Sequence, residues 1–369
     1  MIVILISAIT IILNIIIRYY FNIKNRSVEL LIATFFLVLF YLSITETNDS
    51  KNYEYLYYNL KKSPDIGWTL MTNFAKLIKD NYVVNIWLYY LLGLYFFIKI
   101  LKFFSYYPLF VILNLQIFTM LFNINQIRYF LSFYIFIYSL IMLGQQKKKV
   151  FFVLFLLSLI FHKSIIVLYL AYLFIQLSKY RCLKELIKLY IKISILVFLL
   201  WDCIILIIEK VNFLAHYKVY LVSEKKLSFK GWIFSILFVI IWYIYIYILN
   251  KQVEKILKQQ NRKSTMKLNF LLKLVFIGII FIPISIRSLD ILQRYALSFH
   301  VMNLIYLTYV IKFFKKNERI KILGFTMVLS LINYFYYFEI PVFIGLGSQK
   351  LYLLKIYNNL NLYNIIEKI

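Results

Sequence analysis

Three passages place polar groups where an otherwise apolar chain would do without them. Arg128 stands in NINQIRYFLSFYIF, His162 in SLIFHKSIIVLYL, and Arg287 and Arg294 bracket SLDILQR. A guanidinium fork matches the oxygens of a phosphate bidentately. An imidazole exchanges a proton near neutral pH. Together such groups could hold an oxyanion and take a proton from a hydroxyl. A further set, Asp49, Tyr53, Tyr57, Asp65 and Trp68, lies in TETNDSKNYEYLYYNLKKSPDIGWTLMTNFAKLIKDNY. Aromatic faces stack on pyranose rings and carboxylates accept hydrogen bonds from hydroxyls, so this set suits a sugar. Each group also has a structural reading. Arg128 can snorkel to an interface, Arg294 and Asp290 are spaced i,i+4 for an ion pair, and Tyr53, Tyr57 and Trp68 can form an interfacial aromatic belt. A lone histidine is usually a structural hydrogen-bond partner, as His216 and His300 are expected to be.

The elements that position these residues follow from the solvent. Of the 369 residues 63% are hydrophobic, and the mean hydropathy is +0.81, far above the roughly 45–50% apolar usage of soluble domains. Apolar runs recur from end to end, bounded by charged or Asn-rich breaks. Only helices and closed barrels satisfy their backbone groups in lipid, and barrel strands would alternate with period two. These runs are apolar on both parities. The expected fold is therefore an all-α polytopic integral membrane protein with about twelve transmembrane or re-entrant helices. The spans fall at roughly 1–17, 29–44, 83–101, 107–124, 127–143, 150–161, 164–177, 189–208, 231–249, 270–287, 294–311 and 320–338. The two flanking His162 are too short to cross about 30 Å of hydrocarbon upright and read as a hairpin of short helices.

Orientation follows from the basic breaks. Arg18/Lys24/Arg26, Lys147–Lys149, Lys179/Arg181/Lys184, Lys251 to Lys267 and Lys312 to Lys321 fall on one side of the alternation, which is cytoplasmic by the positive-inside rule. Two longer segments, about 45–82 and 209–230, fall outside. Arg128, His162, Arg287, Arg294 and the Tyr-rich segment then gather at outer ends of spans. The net charge of +27 resides in short clusters between apolar runs rather than on a folded basic face, so nucleic acid is not the expected partner. Cys182 and Cys203 show neither a disulfide framework nor metal spacing. The first run lacks a charged n-region and reads as a retained span. One membrane domain over 1–350 is expected, with an interfacial amphipathic tail over 351–369. The outer segment at about 45–82 turns at Ser63-Pro64-Asp65 and continues as an amphipathic helix, with Trp68, Met71, Phe74 and Leu77/Ile78 at helical spacing. No Walker loop, HExxH or Gly-rich phosphate cradle occurs, so no cofactor is expected and any reaction must draw its energy from the substrate.

Three passages, taken in order, resemble the EpsG-like branch of the Wzy-type polysaccharide polymerases of bacterial envelopes. NDSKNYEYLYYNLKKSPDIGWTLM is similar to that family's outer segment, with Asn52 where an Asp is common and Asp65-Ile66-Gly67-Trp68 in place of Glu-Pro-Gly-Tyr. NQIRYFLSFYIFIYSL resembles its Arg-led span, followed by a short Lys-rich turn at Gln145–Lys149. FHKSIIVLYL resembles its Phe-His-x-Ser-apolar pattern one span later. The resemblance covers about 40–180.

What it implies is a membrane glycosyltransferase that joins oligosaccharide repeat units carried on polyprenyl pyrophosphate, at the outer face of the bacterial cytoplasmic membrane, for envelope, capsular or exopolysaccharide synthesis. Arg128, with Arg294 or Arg287, would stabilise the departing pyrophosphate. His162 would accept the acceptor proton, with Asp49, Glu54 or Asp65 as alternatives, and Tyr53, Tyr57 and Trp68 would orient sugars. Asp49, Asp65 and Arg287 join them as substrate-binding candidates. No Asp-x-Asp pair suggests a metal, so metal-independent transfer is expected. Partners would be the lipid-linked oligosaccharide, membrane lipid, and a chain-length regulator and flippase of the same route. Two other classes stay open: an O-antigen-ligase-like transferase and a non-enzymatic flippase of lipid-linked oligosaccharide. Ser164 is expected to cap the helix after the His162 break, and Lys163 to reach headgroups.

Overall fold

The computed structural model describes residues 26–42, 49–60, 65–117, 126–177, 183–210, 229–260, 266–286 and 292–334. Among them there are helices and turns and no strand. Their contacts divide them into two compact units, one ending at Ile165 and one beginning at Ile166.

The first unit is built around two helices. α1 (Arg26–Leu42), α2 (Ser50–Tyr58) and α3 (Ile66–Ile78) precede α4 (Tyr82–Phe104). The chain continues through α5 (Pro108–Ile117), α6 (Ile127–Gly144) and α7 (Lys148–Phe161), and closes on a 3-10 turn, Lys163–Ile165. α4 starts where Asn81 caps it, its side chain accepting from Val83 N at 2.9 Å, and its 23 residues reach about 35 Å. α6 is buried on nearly every face from Ile127 to Met142, as a helix apolar all round must be when it forms a core.

α6 and α7 make a tight hairpin. Gln146 turns the chain at φ 62°, the left-handed residue that closes α6, with Lys147 N donating to Met142 O and Gln146 N to Leu143 O, each at 2.9 Å. Small residues let the two helices approach closely: Ser132 Oγ donates to Ser158 O at 2.9 Å, the kind of interhelical bond that serves where lipid offers no hydrophobic drive. The break at His162 lies where the sequence puts it, with α7 ending at Phe161 and His162 extended at φ −158°, ψ 106°.

The second unit carries α8 (Ile166–Leu177), α9 (Leu183–Leu199), α10 (Trp201–Lys210), α11 (Phe229–Gln259) and α12 (Met266–Phe276). α12 loosens into 3-10 turns, Ile277–Phe281 and Pro283–Ile286. A π-helical turn, Leu292–Ala296, then leads through the 3-10 turn Leu297–Phe299 to α13 (His300–Val310), followed by α14 (Lys316–Tyr334). Hydrogen bonds cross its helices: Tyr190 OH to Lys273 O at 2.6 Å, Ser194 Oγ to Ile280 O at 2.9 Å, and Tyr306 OH to Asn250 Oδ1 at 3.0 Å. Gly278 accommodates a close approach, since a Cβ there would collide with Tyr243 Oη.

Five of the described helices are long and apolar enough to cross a membrane: Tyr82–Phe104, Ile127–Gly144, Ile236–Gln259, Met266–Ser285 and Arg294–Phe313. Counting the pair Ile187–Leu199 and Trp201–Ile207, bent by 62°, makes six. The chain is thus a multi-pass membrane protein. The expected count of about twelve includes the run at 1–17, which lies outside the described residues, as do most of segment 209–230 and the tail at 351–369. Cys182 also lies outside them; Cys203 is an exposed thiol.

One expectation is corrected. The face of α3 that turns inward is Gly67, Trp68, Thr72 and Ala75; Phe74, Leu77 and Ile78, expected on the same face as Trp68, are exposed together with Ile66 and Leu70. Periodicity locates an apolar arc but not the part of it that packs. α3 is amphipathic, with Thr69, Asn73 and Lys76 on its polar side, but its apolar arc is wide, and packing selects the part that turns inward: Asn85 Nδ2 donates to Thr72 Oγ1 at 2.9 Å, and Gly67 sits directly on α7.

Candidate functional site

The passages that carry Asp65, Arg128 and His162 converge at one end of the first unit. They meet where α4 and α6 begin and α7 ends. Asp65 precedes α3 in an extended conformation, φ −118°, ψ 127°, and its side chain does not cap that helix. Its carboxylate reaches Arg128 in the first turn of α6, where Nη1 donates to Oδ2 at 2.6 Å. The two side chains are 1% and 8% exposed. A charge-assisted bond this short is strong, and burial makes each partner dependent on the other. The Asp65 carboxylate, expected to hydrogen-bond a sugar, here holds the guanidinium.

Aromatic rings enclose this pair. Arg128 Cζ lies 5.8 Å from the ring centroids of both Tyr53 and Trp68, within cation–π reach. Trp68 stacks between Tyr53 at 5.3 Å and Tyr89 at 5.4 Å. Both Trp68 faces are thereby covered by protein, and the ring is 1% exposed. Tyr89 in turn meets Phe161 edge to face at 5.7 Å.

His162 joins the same cluster from α7. It is 4% exposed, and its ring stands edge to face with Tyr129, the neighbour of Arg128, at 5.6 Å. Its backbone is fixed on both sides: His162 N donates to Ser158 O at 3.0 Å, and His162 O accepts from Ile165 N at 3.2 Å. Ser164 Oγ, expected to cap the next helix, lies 2.8 Å from His162 Nδ1. When Nδ1–H donates to that hydroxyl, Nε2 bears the lone pair and is the basic atom. Gly67 completes the junction. A Cβ on it would come within 2.6 Å of Phe161 Cδ1 and 2.9 Å of both Ile160 O and Phe161 Cα. Only glycine lets the DIGW turn rest on the end of α7.

The remaining candidates are spread more widely. Tyr57 is buried beside Tyr53 on one face of α2, but its hydroxyl donates to Asp80 Oδ1 at 2.9 Å and Lys76 Nζ lies 5.1 Å over its ring. Burial, and then the Asp80 carboxylate, raise the Tyr57 pKa above its ordinary value. Tyr57 thus ties α2 to the junction of α3 and α4. Asp49 stands at the N-cap position of α2 without a side-chain cap, its carbonyl accepting from Tyr53 N at 2.9 Å. Glu54 is exposed. In the second unit, Arg294 is 9% exposed within the π-helical turn, a local geometry common at functional sites. Its carbonyl accepts from Ser298 Oγ, and its neighbour Tyr295 stacks on Phe281 at 5.1 Å. Arg287 and Asp290 lie outside the described residues.

Tyr89 is the residue that sequence reading passes over, hidden in NYVVNIWLYYLLGLYFF. The available signal was Asn85, a buried amide one helical turn before it on the face that meets α3.

A buried, polarised cluster of one guanidinium, one carboxylate, one imidazole and several hydroxyls can bind an oxyanion and relay a proton. A model of the EpsG family matches residues 30–352. No curated protein and no solved structure matches the chain.

Proposed function

The chain belongs to the EpsG family, and from that premise we propose that it is a membrane glycosyltransferase that polymerises repeat units of a polysaccharide. The repeat units are carried on polyprenyl pyrophosphate and joined at the outer face of the cytoplasmic membrane, without a metal. The observation that carries this reading is the buried ion pair of Asp65 with Arg128 in the first turn of α6, where the next residue, Tyr129, packs edge to face on His162.

Glycosyl transfer from a pyrophosphate passes through an oxocarbenium-like transition state. The leaving group is already acidic, so its departure calls for charge stabilisation rather than for a proton. Arg128 supplies that charge, and Asp65 fixes the direction of its fork. The acceptor hydroxyl oxygen attacks the anomeric carbon while the bond from that carbon to the pyrophosphate oxygen breaks. The hydroxyl proton passes to His162 Nε2, and polyprenyl pyrophosphate leaves with the bonding electron pair. When Ser164 Oγ accepts from Nδ1–H, it holds the tautomer that leaves Nε2 basic. Arg294 and Arg287 are carried as further candidates for anion binding, each open to its own substitution.

The test is genetic and chemical together. A strain lacking the protein accumulates single lipid-linked units at the outer face, and wild-type protein restores chains. Arg128→Lys and His162→Ala, each present in the membrane at wild-type abundance, fail to restore them. Normal chain length from both would sink the assignment, and units trapped on the cytoplasmic face would favour a flippase.

A further inference from the structure

Trp68 and Tyr89 pose a question that packing does not answer. Each is 1% exposed, and neither Trp68 Nε1 nor Tyr89 Oη has a hydrogen-bond partner among the described residues. A buried donor left unsatisfied destabilises the fold. Phenylalanine would fill either place without that cost, and this chain uses it 35 times. Two such donors on rings stacked 5.4 Å apart, in the cluster that holds Arg128, point to a partner that arrives from outside.

The chemistry of that partner is constrained. An indole N–H only donates, so the atom it meets is an acceptor, and a tyrosine hydroxyl can donate to the same group. A sugar hydroxyl would bring a proton that needs an acceptor of its own beside these two donors. A phosphate oxygen has no such need. It also gains from the guanidinium, whose Cζ is 5.8 Å from the Trp68 ring. The surrounding rings exclude water, and that strengthens each donor.

We infer that Trp68 Nε1–H and Tyr89 O–H form, beside Arg128, an oxyanion subsite for the pyrophosphate of the lipid-linked substrate. This rests on the polymerase reading and adds two neutral donors to it. They compensate negative charge that Arg128, already shared with Asp65, does not cover alone. Tyr89 and Trp68 are then residues that touch the leaving group.

The experiment uses the full chain reconstituted in phosphatidylcholine nanodiscs, as wild type, Tyr89→Phe and Trp68→Phe. The probes are a polyprenyl pyrophosphate without sugar, inorganic pyrophosphate, and nanodiscs containing phosphatidylglycerol. Thermal unfolding reads stability and binding; extension of lipid-linked units reads turnover. Polyprenyl pyrophosphate is expected to stabilise wild type, and each variant to bind it about tenfold more weakly or worse. Without ligand, Tyr89→Phe is expected to melt at or above the wild-type temperature. A lower melting temperature for unliganded Tyr89→Phe marks its hydroxyl as a structural partner and overturns the inference, whatever binding does. Unchanged affinity and turnover in Tyr89→Phe also overturn it. Equal, Tyr89-dependent stabilisation by phosphatidylglycerol reassigns the subsite to bulk lipid phosphate and overturns it as well. Stabilisation by inorganic pyrophosphate, lost in both variants, supports recognition of the anion itself. Wild type that fails to extend lipid-linked units overturns the polymerase reading; wild type that extends them, matched by Tyr89→Phe, overturns only the subsite.

Discussion

Arg128 Nη1 donates to Asp65 Oδ2 at 2.6 Å with both side chains buried. The pair joins the turn before α3 to the first turn of α6, so each charge depends on the other for its desolvation. Removing one partner of such a pair costs about 3–5 kcal/mol, because the other charge is left uncompensated. Asp65→Ala and Arg128→Ala should each lower stability by about that much. The double variant should lose clearly less than the two costs combined. Thermal unfolding of the four proteins in one detergent measures the coupling. Additive losses would show that the pair does not act as a unit.

His162 and Ser164 predict a graded effect on rate. A positioned general base contributes typically 10²–10⁴-fold, and His162→Ala should lose turnover in that range. Ser164→Ala keeps the imidazole but releases its tautomer, so a smaller loss of about tenfold is expected. That loss should fall on kcat rather than KM. Ser164→Thr, which keeps a hydroxyl, should recover part of it. In the pH–rate profile, wild type should lose activity as pH falls, because protonation of Nε2 removes the base, and His162→Ala should lack that acid limb. A profile identical in wild type and His162→Ala would assign the histidine to structure.

What a reader of the sequence could recover depends on how local the signal is. α4, α6 and α7 begin within two residues of their expected starts, because Asn81, Gln126 and Lys147 bound apolar runs that leave little choice. The end of α7 at His162 is equally local. The burial pattern of α3 is not. Hydrophobic periodicity presumes that the whole apolar arc turns inward, whereas in α3 only its Trp68 and Ala75 edge does, leaving Ile66, Leu70, Phe74 and Leu77 exposed. Nor does any local pattern encode that Asp65 and Arg128 meet. Arg128 is visible because a buried arginine is costly, yet its partner reads as a carboxylate that would meet a sugar. Tyr89 is hidden for the opposite reason, as one tyrosine among 34 in an aromatic-rich chain.

Tyr57 separates two readings of the aromatic segment. Its hydroxyl is committed to Asp80 at 2.9 Å, so Tyr57→Phe should cost about 0.5–1.5 kcal/mol of stability. Chain length should stay at its wild-type value. A shortened polymer at unchanged stability would instead give Tyr57 the sugar-binding role that its place in the sequence suggests. Melting temperature and the length distribution of polymer from the same strains decide between them.

Gly67 gives the sharpest steric test. A Cβ there would lie 2.9 Å from Ile160 O and from Phe161 Cα, backbone atoms that cannot rotate away. Gly67→Ala must therefore push α3 off the end of α7. Overpacking of this kind costs typically about 1–3 kcal/mol. Asp65 lies just before α3 and Trp68 in its first turn, so the shift carries both away from Arg128. Turnover should consequently fall more than stability does. A milder temperature will restore the fold of the variant but not its rate, if the contact positions the site. Tyr57→Phe, with a comparable loss of stability and no shift of α3, is the control. If Gly67→Ala polymerises as well as Tyr57→Phe at matched abundance, the contact between DIGW and FHKS is packing alone.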